Sequence, residues 1–265
     1  MTQTPGAVFR TATVPAGEYT LNYAEAGPAE PTATIISLPG SAGLEMSTAK
    51  DALAERYRVI EINPPGWGDR DDVRTRFHQS ELGPLLVEAI NQLVDGPFYV
   101  LGTSLGGTNA LYVASLLPDQ VLGVILDASM APILPSEDLR EAPSSGPAPE
   151  EGEYPLPEPH PRKPWGTKEV IARQMANRLR LFNWIEPDMQ ATSAIATIAD
   201  RKIPVLALLG DKDEILHAGQ EQRFREQLPH ARFHLIEEGT HDLQNTAPET
   251  FVALVKEFIA PAARG

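Results

Sequence analysis

Short, nearly unbroken apolar runs alternate along this chain with stretches whose apolar positions recur every three or four residues. The runs ATIISLPG, YRVIEIN, PFYVLG, VLGVILDA, IPVLALLGD and ARFHLIEEG read as strands. Between and after them, Ala49–Glu55, Gln79–Val94, Leu105–Leu117, Glu214–Leu228 and Pro248–Ile259 carry helical spacing. Two further strands are expected at the start, near Ala7–Val14 and Tyr19–Ala26, with Pro15 and Gly17 marking the turn. The central strands are apolar throughout rather than alternating, which means burial on both faces. Strands that alternate with helices in this way predict an α/β fold, a mainly parallel central sheet with helices on both faces.

The alternation breaks once. From Pro132 to Pro164 there are ten prolines in 33 residues, with seven acidic and three basic side chains. Such a stretch can continue neither a helix nor a central strand. Helical spacing returns at Lys168–Phe182 and Pro187–Asp200, and the strand and helix alternation then resumes. The expected organisation is a core domain from 1–130 and 200–265, with a lid inserted at 131–199. A plain acidic linker is the blander reading of the proline-rich part.

Composition narrows the chemistry. The 265 residues carry a formal net charge of −14, which repels phosphate backbones and anionic membranes, so nucleic acid is not an expected partner. No apolar run reaches the roughly 18 residues of a membrane helix, and MTQTPGAVFR lacks the features of a signal peptide. A cytoplasmic protein with a small-molecule substrate is the expectation. Without cysteine there can be no disulfide and no thiolate nucleophile, and the lack fits a reducing compartment.

The stretch GTSLGGTNAL then stands out, because PFYVLG supplies a strand before it and LGGTNALYVASLL a helix after it. G-x-S-x-G is a weak pattern alone, but in a strand–turn–helix setting it describes a nucleophile at a sharp turn. Gly102 and Gly106 remove side chains that would clash there, and the turn aims the first helical amides, including that of Leu105, beside the hydroxyl of Ser104. The alternative is a serine that merely caps the helix.

A serine hydroxyl needs a base. Of the six histidines, His241 lies just beyond the last strand, where open α/β sheets place their sites. His78, His160, His217, His230 and His234 fall in helices, at helix margins, in the proline-rich stretch or within a strand. The base in turn needs an acid to fix its tautomer, and LLGDKDEI offers Asp211 and Asp213 at the end of the preceding strand. Asp127, ending VLGVILDA, is a competitor. Trp67, Met130 and Trp184 are candidates for lining an apolar pocket, although such residues are as often core.

Taken in order, Pro39-Gly40-Ser41, PPGWGD, GTSLGG, GDKDEI and GTHDL resemble the α/β-hydrolase family over essentially the whole chain. The resemblance implies a Ser104, Asp213 and His241 triad, since the family's acid stands three positions after the strand-ending glycine. It also implies an oxyanion hole made by the backbone amides of Ser41 and Leu105. This chain has Pro39 where the family usually has a histidine. The expected activity is that of a serine hydrolase on a small or medium uncharged ester or related acyl compound, needing no metal or cofactor. Carbon–carbon bond hydrolysis, acyl transfer, lactone opening and perhydrolysis share the same triad. A binding protein that kept the fold without catalysis is the alternative of another class.

Overall fold

The structure, a computed structural model, describes residues 4–68, 75–132, 167–216 and 219–260. Its framework is an eight-stranded sheet in the order β1-β2-β4-β3-β6-β7-β9-β10. The strands are β1 (Arg10–Ala16), β2 (Tyr19–Ala26), β3 (Thr34–Leu38), β4 (Arg58–Ile62), β6 (Phe98–Thr103), β7 (Val121–Asp127), β9 (Val205–Gly210) and β10 (Arg232–Ile236). From β4 across to β10 every pairing is parallel, while β1 and β2 add an antiparallel edge. Outside this sheet, β5 (Phe77–His78) pairs with β8 (Ile185–Glu186).

Alternate side chains of each central strand enter opposite cores. Ile36 and Val100 join the core packed by α2 (Leu82–Leu93), α3 (Leu105–Leu116), α5 (Thr192–Arg201) and α6 (Gln220–Gln227). Ile35, Tyr99 and Leu101 face α1 (Thr48–Ala54), α7 (Leu243–Thr246) and α8 (Pro248–Ile259) instead. A sheet covered on both sides favours apolar residues on both faces of its strands, which is why these strands read as nearly unbroken apolar runs.

Several boundaries differ from the pattern-based expectation. Strand β1 runs through Pro15, which pairs opposite Thr20, and the turn follows it. A proline lacks the amide a ladder requires, but β1 is an edge strand and needs no donor on its outer side. The helix expected from Pro187 begins only at Thr192, after Ala191 in the left-handed region at φ 47°. Helix α6 starts at Gln220 rather than Glu214, and the amides of Ile215 and Leu216 are instead bonded to the Asp213 side chain. The proline-rich stretch after Pro132, with His160, lies outside the described residues, as does His217. Helix α4 (Lys168–Trp184) is described, capped by the Thr167 hydroxyl. Among the described residues, no helix is long and apolar enough to cross a membrane.

Candidate active site

Ser104 stands at the β6–α3 junction with φ 53° and ψ −120°, a conformation that side chains seldom adopt. The sharp turn brings backbones into contact. A Cβ at Gly102 would strike the backbone of Gly106 and Gly107, and one at Gly106 would strike the carbonyls of Leu38 and Pro39. Ser104 occupies the N-cap position of α3, but its hydroxyl makes no capping bond to the helix. It turns instead toward His241, whose Nε2 lies 2.9 Å from Oγ.

His241 follows β10, and Asp213 follows β9 three residues beyond Gly210. The two loops are joined by their backbones, since the Lys212 amide donates to the Gly239 carbonyl at 2.9 Å and the Asp211 amide to that of Ile236 at 3.1 Å. This brings Oδ2 of Asp213 to 2.9 Å from Nδ1 of His241. The other oxygen, Oδ1, accepts the amides of Ile215 at 2.8 Å and Leu216 at 3.0 Å. Burial pushes the Asp213 carboxyl up, but the bond from His241, the nearby imidazole and the two amides outweigh it and hold the group below the usual carboxylate range. An ionised Asp213 is therefore what faces the imidazole at neutral pH. Asp211 is turned toward Lys212.

Asp127 ends β7 close by but is held by other partners. Thr103 Oγ1 donates to its Oδ2 at 2.9 Å and Gln244 Nε2 at 2.7 Å. Burial pushes this carboxyl up to about 6 against those hydrogen bonds. Of the remaining described histidines, His78 accepts the Ser80 amide at the start of a helical turn, His230 lies 3.0 Å from the Ile203 carbonyl, and His234 sits within β10.

Ser104 and His241 open onto a cavity of about 530 Å³. Ser41 and Leu105 line it beside the serine, together with Gly40 and Thr103. Leu105 is the first residue of α3, where amides have no partner within the helix. Met130, Ile171, Met175, Phe182, Met189 and Ile215 give the cavity an apolar side. Met130, a candidate for lining an apolar pocket, is among the residues that line this cavity. Trp67 is 1% exposed, belongs to the core and donates from Nε1 to the Gly40 carbonyl at 3.1 Å, so it supports the loop rather than lining the pocket. Trp184 ends α4 half-buried and is not among the lining residues.

The lining also has a polar part, with Ser47, Lys50, Glu61 and Gln244, a feature the sequence reading missed. Lys50 on α1 and Glu61 on β4 form an ion pair there, both buried. Ser47 donates to Gln244 Oε1 at 2.7 Å, extending the network that holds Asp127. A glutamate inside the apolar run RVIEI was the signal available.

Residues 36–254 match the alpha/beta hydrolase family. The chain belongs to that family. As a member it is a hydrolase, and its relatives cover several reactions. It is similar to a pimeloyl-[acyl-carrier protein] methyl ester esterase of Neisseria meningitidis, 27% identical over 226 residues, spanning 78% of this chain and 84% of that one. It also resembles a 2-hydroxy-6-oxononadienedioate/2-hydroxy-6-oxononatrienedioate hydrolase of Escherichia coli, 30% identical over 111 residues, spanning 40% of this chain and 38% of that one. In fold it is similar to a putative lipase of Acinetobacter baumannii, with a TM-score of 0.69, 20% identity and coverage of 96% of this chain and 92% of the other.

Proposed function

We propose that this hydrolase cleaves small or medium uncharged esters through an acyl-enzyme on Ser104. The observation that carries the reading is the unbroken hydrogen-bonded line from Ser104 Oγ through His241 to Asp213, open to a cavity at the serine end. A methyl ester esterase among the family relatives supports ester cleavage in particular.

In this reading His241 Nε2 takes the hydroxyl proton as Oγ bonds to the ester carbonyl carbon. The carbonyl π electrons move onto oxygen, and the amides of Ser41 and Leu105 stabilise the oxyanion. Collapse of the tetrahedral adduct breaks the bond to the alkoxide, which leaves with the proton from Nε2. Water then repeats the sequence on the acyl-enzyme, giving the acid and restoring the serine. Asp213 fixes Nδ1–H and stabilises the imidazolium throughout. The apolar side of the cavity takes the acyl chain, with α4 serving as part of a lid.

The test is turnover of a p-nitrophenyl ester series beside labelling by a fluorophosphonate probe, with Ser104→Ala as the blank. Activity and labelling should both vanish in that variant, by at least about 10³-fold in rate. Equal turnover by Ser104→Ala would sink the serine mechanism. The match to the Escherichia coli hydrolase favours one second reading, hydrolysis of a carbon–carbon bond in a vinylogous diketone by the same three residues. Including such a diketone in the screen separates the two.

A further inference from the structure

The loop from Gly40 to Glu45 carries the amide of Ser41 and is gripped by side chains from several elements. Trp67 donates to the Gly40 carbonyl at 3.1 Å and Asn177 of α4 to the Ala42 carbonyl at 3.2 Å. At Glu45 both backbone groups are taken. Lys50 Nζ donates to its carbonyl at 2.7 Å, and its amide donates to Glu61 Oε1 at 3.1 Å. Lys50 and Glu61 are paired to each other, with side chains 4% and 0% exposed.

Two charges held out of water in this way are a poor device for stability. Desolvation offsets most of their attraction, and apolar residues of like volume commonly serve as well or better. What the pair provides is directional: a donor and an acceptor fixed relative to each other, closing on one peptide. An oxyanion donor contributes only when it is already in place as charge develops, and a loosening of about 1 Å can cost on the order of 10²-fold in rate.

We propose that the Lys50–Glu61 pair is a positioning device for the oxyanion loop, holding Glu45 from both sides so that the Ser41 amide stays aimed at the carbonyl bound to Ser104. The proposal rests on the serine hydrolase reading above. Neither side chain touches the reacting atoms; both act through Glu45.

Two double variants test it. Lys50→Met/Glu61→Met removes both grips at similar volume. Lys50→Met/Glu61→Gln keeps an acceptor for the Glu45 amide. Measured together are Tm, kcat and KM on p-nitrophenyl butyrate, inhibition by a trifluoromethyl ketone that forms a tetrahedral adduct, and fluorophosphonate labelling. The Met/Met protein should melt at or above the wild-type temperature, keep KM within about twofold, and lose roughly 10²-fold in kcat. Its affinity for the ketone should fall by a similar factor, because the ketone reports the oxyanion hole. The Met/Gln protein should lose only about tenfold in kcat, a single hydrogen-bonded grip being gone. A folded Met/Met variant with wild-type kcat overturns the proposal, as does a rise in KM at constant kcat, which would mean direct contact with substrate. Should Met/Met not fold, the Met/Gln protein decides, and wild-type kcat there overturns the idea. If wild-type protein resists the fluorophosphonate, the serine reading itself falls and this role falls with it. Normal wild-type labelling with normal variant kcat removes this role alone.

Discussion

Gln244 Nε2 donates to Oδ2 of Asp127 at 2.7 Å, tying the carboxylate at the end of β7 to α7. The imidazole of His241 is hydrogen-bonded instead to Asp213, 2.9 Å from Nδ1, although Asp127 ends β7 and Asp213 follows β9 in the same sheet. Turnover should separate them. Asp213→Asn should lose up to roughly 10⁴-fold in kcat with the fold intact, because the amide favours the wrong tautomer. Asp127→Asn should lose less than about tenfold. The reverse order in steady-state kinetics would reassign the acid.

Asp127 carries a second expectation, about stability. Its folded-state value is pushed up to about 6 by burial, from an ordinary 3.8. Between those values the folded protein holds a proton that the unfolded chain has shed, so stability falls as pH rises through the window, and the loss is complete above it. The shift corresponds to a ceiling of roughly 3 kcal/mol. Asparagine keeps an oxygen for Thr103 and Gln244 but never ionises. Asp127→Asn should thus be more stable than wild type at pH 8 by roughly 1–3 kcal/mol, with the gain fading toward pH 4. Urea unfolding at the two pH values checks this, and a gain independent of pH would refute it.

The parts of the site legible in the sequence were those that obey local rules. GTSLGG announces its turn because a side chain at Gly102 or Gly106 would collide with nearby backbone, and that constraint is written in consecutive residues. His241 and Asp213 could be placed because each follows an apolar run that had to be a strand. The polar part of the cavity lining was hidden for the opposite reason. Ser47 meets Gln244 across 197 positions and Gln244 meets Thr103 across 141, and nothing local marks such partners. Trp67 was ambiguous because its indole serves equally as pocket wall and core, and only the fold shows it beneath the loop of Gly40.

The backbone of Ser104 supplies a prediction on strain. At φ 53° and ψ −120° a Cβ costs about 1–3 kcal/mol, and glycine adopts such angles far more readily. Ser104→Gly should therefore be more stable than Ser104→Ala, by about 1 kcal/mol, or about 2–4 °C in Tm. Both variants lack the Ser104 hydroxyl, so the comparison isolates the backbone. Equal melting temperatures would mean the turn is unstrained in solution.

Helix α4 places Ile171, Met175, Arg178 and Phe182 along the cavity, at the spacing that puts residues on one face of a helix. If this wall receives the acyl chain, its bulk should set the chain length accepted. Met175 is the position to test, because it is only half-buried and a larger side chain there can be housed without disturbing either core. Met175→Trp should lower kcat/KM for p-nitrophenyl octanoate at least about tenfold, or roughly 1.4 kcal/mol, while leaving the acetate within about threefold. The short ester needs none of the wall and reports whether the Ser104, His241 and Asp213 geometry survives. A parallel fall for both esters would mean that the substitution disturbs the catalytic groups. Equal activity on both would mean that the acyl chain lies elsewhere, along Met130 and Ile215.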